Sequence, residues 1–254
     1  MLPYVRLGAI SLVAFVPAAG LLVGLNSDAR TAWVAVTISL LVLCFSVGWP
    51  ALTNVPSPNT ARAVLIFTGA VSISLAIYRP GGHANVLIAI GLGLPAVFVR
   101  ELIRPAPREG LIPSVTATTS GVIAVAAFGL WVAAASLEHF LDLATIAGTG
   151  ITAAGLALAL SRFIPSQRWL SELSALACPI LAFIAGTGMS FVVAIPWWAG
   201  AAVAAISAVA PAGIWLVSSG SGVFNARPHL ADAALVTLPL AVAAVPVWAA
   251  ALMR

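Results

Sequence analysis

Three arginines recur at intervals of four residues in the one long basic connection of the chain, RELIRPAPREGLIPSVTATTSG, residues 100–121. Arg100 and Arg104 would share one helical face until Pro105 breaks the helix, and Arg108 follows in the same connection. Guanidinium groups at a membrane boundary bind phosphate oxygens, and hydroxyl groups at a helix start can complete such a site. The hydroxyls here belong to Ser114, Thr116, Thr118, Thr119 and Ser120. The pattern predicts a site for an anionic lipid or phosphate headgroup.

The same residues have a simpler explanation that needs no ligand. Basic side chains commonly anchor the cytoplasmic ends of membrane spans. Ser114 would then act as a helix cap, and the small residues after it would form a helix-packing face. Both explanations remain open at the level of sequence.

The segment IAGTG occurs twice, at 146–150 and at 184–188, on successive apolar runs that would cross a membrane in opposite directions. Gly-x-Gly segments allow close backbone approach, and paired weak points in helices often mark a transporter's substrate site. Gly148, Thr149, Gly186 and Thr187 are therefore candidate binding residues. Tight packing of two antiparallel helices is the alternative explanation.

Few other residues could support chemistry. Glu138, His139 and Asp142 share one polar turn, which supplies too few ligands for a closed metal site. Cys44 and Cys178 lie far apart in apolar runs and are interpreted as small buried hydrophobic residues. No carboxylate, arginine or histidine lies well inside an apolar run, which argues against an intramembrane enzyme. We expect no metal and no cofactor.

The composition of the chain indicates the class of protein whose structure holds these residues. Of 254 residues, 62% are hydrophobic and 7% are charged, and the mean hydropathy is +1.13. A soluble domain usually carries about a quarter charged residues, so the chain is expected to be an integral membrane protein. The formal charge of +4 suggests nucleic-acid binding at first, but no basic cluster has interleaved aromatic residues. We therefore expect no nucleic-acid partner.

Apolar runs separated by polar turns predict an all-α, polytopic transmembrane helix bundle with about nine spans. The runs cover residues 7–25, 31–49, 63–78, 84–99, 113–136, 143–160, 173–193, 201–218 and 233–253. The third and fourth are nearer sixteen residues than twenty, so they are either tilted spans extended by their flanks or a re-entrant pair. We expect a single transmembrane domain over 1–254, with a first helical half (1–99), a basic cytoplasmic loop (100–112) and a second helical half (113–254).

Arginine placement predicts the orientation of the spans. With the N-terminus in the cytoplasm, eight arginines lie inside, namely Arg6, Arg62, Arg100, Arg104, Arg108, Arg162, Arg168 and Arg227. Three lie outside, namely Arg30, Arg79 and Arg254. This asymmetry follows the positive-inside rule, and the tryptophans fall near the two predicted faces. The sequence predicts a multi-pass protein of a bacterial cytoplasmic membrane, with the C-terminus outside and anionic lipid headgroups at the cytoplasmic face.

The chain contains no lysine and is rich in alanine and valine, a bias that resembles GC-rich bacterial genomes. The stretches RPAPREGLIPSVTATTSGVIAV and ARPHLADAAL lead into the fifth and the last predicted span. Their layout resembles a family of uncharacterised polytopic membrane proteins of actinobacteria, mainly over residues 100–254. The resemblance implies no activity and no site residues.

Three functional hypotheses follow from these patterns. In the first, a permease-like protein binds or moves a small solute or a lipid intermediate of the cell envelope, with a cavity lined by the IAGTG segments and the hydroxyl-rich helix start. In the second, a non-catalytic membrane subunit scaffolds a partner in envelope assembly. In the third, an enzyme acts on lipid phosphates, and the arginines of the basic loop converge on His229 and Asp232.

Overall fold

In a computed structural model of the protein, residues 27–78, 84–105, 110–137, 139–160, 168–193, 195–221 and 229–252 are described. Within these ranges all regular secondary structure is α-helical. The helices are α1 (Ser27–Leu52), α2 (Pro58–Tyr78), α3 (Ala84–Ile103), α4 (Leu111–Ala135), α5 (Phe140–Leu160), α6 (Arg168–Val192), α7 (Trp197–Ser221) and α8 (His229–Leu252). The predicted all-α fold is confirmed for this part of the chain.

The described helices coincide with the last eight predicted apolar runs, and the first run, 7–25, lies outside the described residues. Five helices are long and apolar enough to cross a membrane. Their spanning segments are Ala29–Leu52, Pro58–Tyr78, Ala84–Ile103, Leu111–Ala135 and Ala233–Leu252. Three further helices contain shorter apolar segments, Phe140–Ala154, Ala177–Val192 and Trp197–Val209. Because lipid offers no hydrogen-bond partners, helices satisfy the backbone of such segments internally.

The two short predicted runs become full-length helices. Helix α2 begins at Pro58 and α3 continues to Ile103, which gives 21 and 20 residues. Both lengths match the roughly twenty residues that cross a bilayer. The polar flanks are thus helical, as the tilted-span alternative expected.

The basic connection is shorter than predicted. Arg100 lies in the last turn of α3, and α4 already begins at Leu111. Only residues 104–110 lie between the helices, and of these 106–109, including Arg108, are outside the described residues. Gly110 ends this connection with a φ of 66°, a left-handed conformation that favours glycine.

The helices fall into two compact units. Among the described residues, the arginine unit comprises 27–136 and 229–244, and the glycine unit comprises 137–221 and 245–252, so that α8 contributes to both. The predicted boundary between the halves, at 100–112, differs from this division. Helix α4 packs against α1, α2 and α3 and thus belongs with the helices before it.

Helix α4 is the centre of the arginine unit. Its spanning segment is 67% buried, whereas that of α3 is 28% buried. Trp49 of α1 lies against Gly121 of α4 and donates its indole N–H to the carbonyl of Ala117 at 2.7 Å. Ser72 of α2 likewise lies against Gly129 and donates to the carbonyl of Ala126 at 2.9 Å. Two glycines of α4 therefore make room for hydrogen-bonding side chains of its neighbours.

In the glycine unit, α5, α6 and α7 pack against one another. One cluster in their described core consists of small side chains, namely Ala154, Cys178, Ala182, Ala208 and Ala212. Such residues allow helix backbones to approach closely in a membrane. Cys178 is buried as predicted, whereas Cys44 is exposed on the surface of α1, so the interpretation of Cys44 as a buried residue was wrong.

Candidate functional site

The candidate site is a cluster of charged and hydroxyl side chains at one end of the arginine unit, which we call the basic end. Here α1 and α3 finish and α2 and α4 begin. Arg62 lies at this end, where it donates to the carbonyl of Val47 and, at 2.9 Å, to Oδ1 of Asn59. Arg100 and Glu101 lie deeper, with only 4% of each side chain exposed. Charged groups this buried need partners, because desolvation is costly.

Arg100 reaches first to the turn between α1 and α2. Its Nη2 donates to the backbone carbonyl of Ser57 at 3.1 Å and to the Ser57 hydroxyl at 2.6 Å. Its Nε donates to the hydroxyl of Thr60, in the first turn of α2, at 2.9 Å. One edge of the guanidinium is therefore fully engaged by this turn and the helix that follows it.

The other edge of Arg100 faces the start of α4. Nη1 lies 2.9 Å from Oγ1 of Thr118, 3.4 Å from Oγ of Ser114 and 2.8 Å from Oε1 of Glu101. A guanidinium has five N–H donors, and each of them finds an acceptor here. Arg100 thus joins the α1–α2 turn, α2, α3 and α4 through a single side chain.

Glu101 connects the two arginines of the cluster. Oε1 receives the Arg100 bond and a hydrogen bond from the hydroxyl of Ser114 at 2.7 Å. Oε2 is 3.1 Å from Nη1 of Arg104, whose side chain is 12% exposed. Two guanidiniums and one carboxylate leave this trio with one excess positive charge.

The hydroxyl-rich start of α4 divides into two faces. Ser114 and Thr118 are buried and contact Arg100, whereas Thr116 is exposed and Thr119 is half-buried. Ser120 is also exposed and donates to the carbonyl of Thr116 in its own helix. The structure therefore brings together Arg100, Arg104, Ser114 and Thr118 and leaves Thr116, Thr119 and Ser120 on the other side of α4.

Sequence analysis missed Glu101, although the sequence contains a usable signal. Arg100 and Glu101 stand between the apolar triplet VFV and the apolar pair LI, with no glycine or proline between them. A helix that continues through such a stretch carries both charged residues in an apolar segment, where each of them needs a partner. A prediction from charge alone places these residues in a loop and overlooks Glu101.

The two IAGTG segments both meet α7. A Cβ added at Gly150 would lie 2.5 Å from the carbonyl oxygen of Ala204, and one added at Gly186 would meet the Ala204 side chain and the carbonyl oxygen of Gly200. Helices α5 and α6 therefore approach α7 so closely that side chains do not fit at these two positions. The second glycine of the α6 segment, Gly188, has open space around it.

The threonines of these segments are hydrogen-bonded within their own helices. Thr149 donates to the carbonyl of Ile146 at 2.7 Å, and Thr187 donates to that of Phe183 at 2.8 Å. Gly148 and Thr149 are half-buried. Both segments are thus closely packed. At Gly150 and Gly186 the helix that each segment closely approaches is α7.

The remaining candidates come from two polar connections of the sequence. His139 and Asp142 form a partly exposed pair with 3.7 Å between Nδ1 and Oδ2, while Glu138 is outside the described residues. Arg79 and His83 are also outside them. No three His, Cys, Asp or Glu side chains within the described part of the chain come together as a metal site would require.

Five long apolar helices and the apolar composition mark the chain as an α-helical membrane protein with a buried ionic cluster at the end of three of its helices. No protein-family model matches the sequence, and comparisons with curated proteins and with solved structures give no match. Function must therefore be argued from the cluster itself.

Proposed function

We propose that this chain is a permease-like, multi-pass protein of a bacterial cytoplasmic membrane that binds or moves a lipid intermediate or small solute of the cell envelope. The anionic headgroup would be held at the basic end, on the cytoplasmic side. The observation that supports this is the excess positive charge of the Arg100, Glu101 and Arg104 trio at the ends of membrane-length helices. A cation at this depth attracts headgroup phosphates.

The two arginines would have different tasks. All N–H groups of Arg100 are engaged within the unit, so it holds the helix ends together. Arg104 has the larger exposed fraction of the two and follows the end of α3. We therefore assign the headgroup contact to Arg104, with Arg108 as a second candidate in the same connection. The proposal includes no catalytic step.

The test measures lipid retention by native mass spectrometry. The protein is released from nanodiscs that contain equal amounts of phosphatidylglycerol and phosphatidylethanolamine. Arg104→Gln is expected to lower the retained phosphatidylglycerol about fivefold, which corresponds to about 1 kcal/mol for one arginine near an anionic headgroup. The matched control is Arg30→Gln, which removes the same charge at the opposite end of α1 and should leave retention unchanged.

If the Arg104 and Arg30 variants retain the same lipids as the unmodified protein, Arg104 is not the headgroup contact, and if Arg108→Gln also retains them, the headgroup site is not at the basic end. A parallel preparation from the native membrane records every co-purifying molecule. A stoichiometric partner chain without any bound lipid or solute would favour the second candidate, a non-catalytic membrane subunit that scaffolds a partner.

That second candidate has its own supporting observation. Of the residues expected to line a transport cavity, Gly186 packs closely against α7, and Thr149 and Thr187 donate hydrogen bonds to carbonyls of their own helices. A protein that only holds a partner needs such rigidity and no cavity. The two candidates therefore differ in whether a stoichiometric small molecule accompanies the protein.

A further inference from the structure

Arg62, near the start of α2, is the arginine of the basic end that has no ion-pair partner among the described residues. Its Nε donates to the carbonyl of Val47 at 3.4 Å, and its Nη1 donates to Oδ1 of Asn59 at 2.9 Å. A guanidinium has five N–H donors, so three of them, including both on Nη2, find no acceptor within the described part of the chain. The half-buried Arg62 therefore carries an uncompensated positive charge with unused donors.

Arg62 lies on a different side of α2 from the Arg100 cluster. Thr60, which binds Arg100, and Arg62 are two positions apart, or about 200° around a helix of 3.6 residues per turn. Thr60 thus faces α3, whereas the bond to Val47 places Arg62 against α1. The Glu101 carboxylate pairs on the α3 side and does not neutralise Arg62. An anion can therefore bind Arg62 without meeting that carboxylate.

An exposed apolar track begins beside Arg62 and runs away from the basic end. On α2, Ile66 follows Arg62 by four residues and so lies on the same face. On α1, Leu43 precedes Val47 by four residues and Leu40 precedes it by seven, which places both on the face that Val47 occupies. All three apolar side chains are exposed, and on α1 the track extends about 10 Å at 1.5 Å per residue. A cation at the head of such a track matches a phospholipid, which has a phosphate at the membrane boundary and acyl chains along the helices.

We propose that Arg62 and the outer face of α1 and α2 beside it form a binding site for one anionic phospholipid. The unused N–H groups of Arg62 hold the phosphate, and the acyl chains cover Leu40, Leu43 and Ile66. Because two hydrogen bonds already order the guanidinium, less entropy is lost when the phosphate binds. The site is separate from the headgroup contact assigned to Arg104, and it requires no transport.

The experiment uses the full-length protein in nanodiscs of phosphatidylglycerol and phosphatidylethanolamine, with a photoactivatable diazirine on an acyl chain of either lipid. Mass spectrometry maps the labelled peptides. We expect the phosphatidylglycerol probe to label α1 and α2 around Leu43 and Ile66. Arg62→Gln should lower this labelling about fivefold, which corresponds to about 1 kcal/mol for one arginine near an anionic headgroup. The phosphatidylethanolamine probe, whose headgroup has no net charge, should label both proteins equally.

Three further variants serve as controls. Arg62→Lys keeps the positive charge on a side chain that also binds phosphate, so it should retain most of the labelling. Arg30→Gln removes the same charge at the opposite end of α1 and should leave the labelling unchanged. In the Arg104→Gln background, Arg62→Gln should still lower the labelling about fivefold, because the two arginines bind different lipids. Equal losses in Arg62→Lys and Arg62→Gln would contradict the proposal, since the charge would then not hold the lipid.

Three other results would also overturn the inference. Unchanged phosphatidylglycerol labelling in Arg62→Gln would mean that this arginine only anchors the end of α2. Loss of the Arg62 effect in the Arg104→Gln background would mean that both arginines bind a single headgroup. Displacement of the probe by excess glycerol phosphate, which has no acyl chains, would mean that the site takes a soluble phosphate. Normal lipid retention by Arg104→Gln alone would overturn the contact assigned to Arg104 and leave the Arg62 site intact.

Discussion

The arginine unit and the glycine unit join their helices by different means. In the arginine unit, side chains cross between helices and bond to the neighbour, as Trp49 does to the carbonyl of Ala117 and Arg100 does to Thr118. In the described part of the glycine unit, backbones approach directly, as Gly150 of α5 does to Ala204 of α7. Hydroxyls such as that of Thr187 bond within their own helix there.

The two units therefore illustrate two ways in which helices can associate within a membrane. Lipid tails are as apolar as leucine, so helices in a membrane gain little hydrophobic energy from one another and rely on close packing and hydrogen bonds. Close packing is short-ranged and requires only that side chains at the contact stay small or absent, whereas a bonded pair requires particular atoms at particular positions. We therefore expect the arginine unit to depend on a few irreplaceable side chains and the glycine unit to depend on the absence of side chains.

Removal of the Arg100 side chain is expected to destabilise the arginine unit more than any other change considered for the two units. Arg100→Leu leaves the Glu101 carboxylate buried with fewer partners and frees acceptors on Ser57, Thr60 and Thr118. Breaking a buried ion pair by deleting one partner costs about 3–5 kcal/mol. A large drop in the thermal unfolding midpoint in detergent is the expected result.

Arg100→Lys serves as the control for charge. Lysine keeps the positive charge but has three N–H donors in place of five, so it can recover only part of the lost stability. If Arg100→Lys were as stable as the unmodified protein, charge alone would hold the basic end together. The hydrogen bonds from the guanidinium to two helices and a turn would then be unimportant.

In the glycine unit, the corresponding change adds a methyl group where none fits. Gly150→Ala places a Cβ 2.5 Å from the carbonyl oxygen and 2.7 Å from the Cα of Ala204. Backbone atoms cannot yield as a flexible side chain does, so α5 and α7 must separate, at a cost of about 1–3 kcal/mol.

Gly188→Ala is the matched control, because nothing lies within 4 Å of the added methyl group. Alanine favours a helix over glycine by up to about 1 kcal/mol, so this variant should be as stable as the unmodified protein or slightly more stable. The same thermal unfolding assay measures both. Equal midpoints for the Gly150 and Gly188 variants would show that close approach to α7 does not stabilise the glycine unit.

The positions of the helices could be predicted from sequence, and the reason is physical. A membrane-length apolar run between polar turns has few alternatives to a helix, because every backbone group must be satisfied inside the run. The predicted boundaries are less accurate at 63–99, where 58–62 and 100–103 extend the helices and include polar residues such as Asn59, Arg62 and Glu101. Hydropathy alone assigns such residues to loops.

The pairing within the candidate site could be predicted only in part. The spacing of Arg100 and Arg104 and the hydroxyls after them identified two arginines, Ser114 and Thr118 as a group. Ser57 and Thr60 were missed, because their proximity to Arg100 depends on two turns lying at the same end of the unit. Separations of about forty residues along the chain carry no local signal of contact.

The smallest expected effect concerns the threonines of the IAGTG segments. Their substitution tests whether the glycine unit takes part in ligand binding. Thr149→Val and Thr187→Val remove hydroxyls that bond only to carbonyls of their own helices in the described contacts. Because each of those carbonyls belongs to an intact helix, we expect stability to change by no more than about 0.5 kcal/mol. Retention of phosphatidylglycerol should not change either, since the basic end lies in the other unit.

A loss of a co-purifying solute in either threonine variant, with an unchanged thermal midpoint, would contradict this expectation. It would show that the glycine unit carries a binding site of its own, next to the closely packed glycines. The packing around Gly150 and Gly186 would then be the rigid support of that site, as paired weak points are in transporters. With both threonine variants neutral, binding is left to the arginine unit, and the glycine unit serves to hold three helices together.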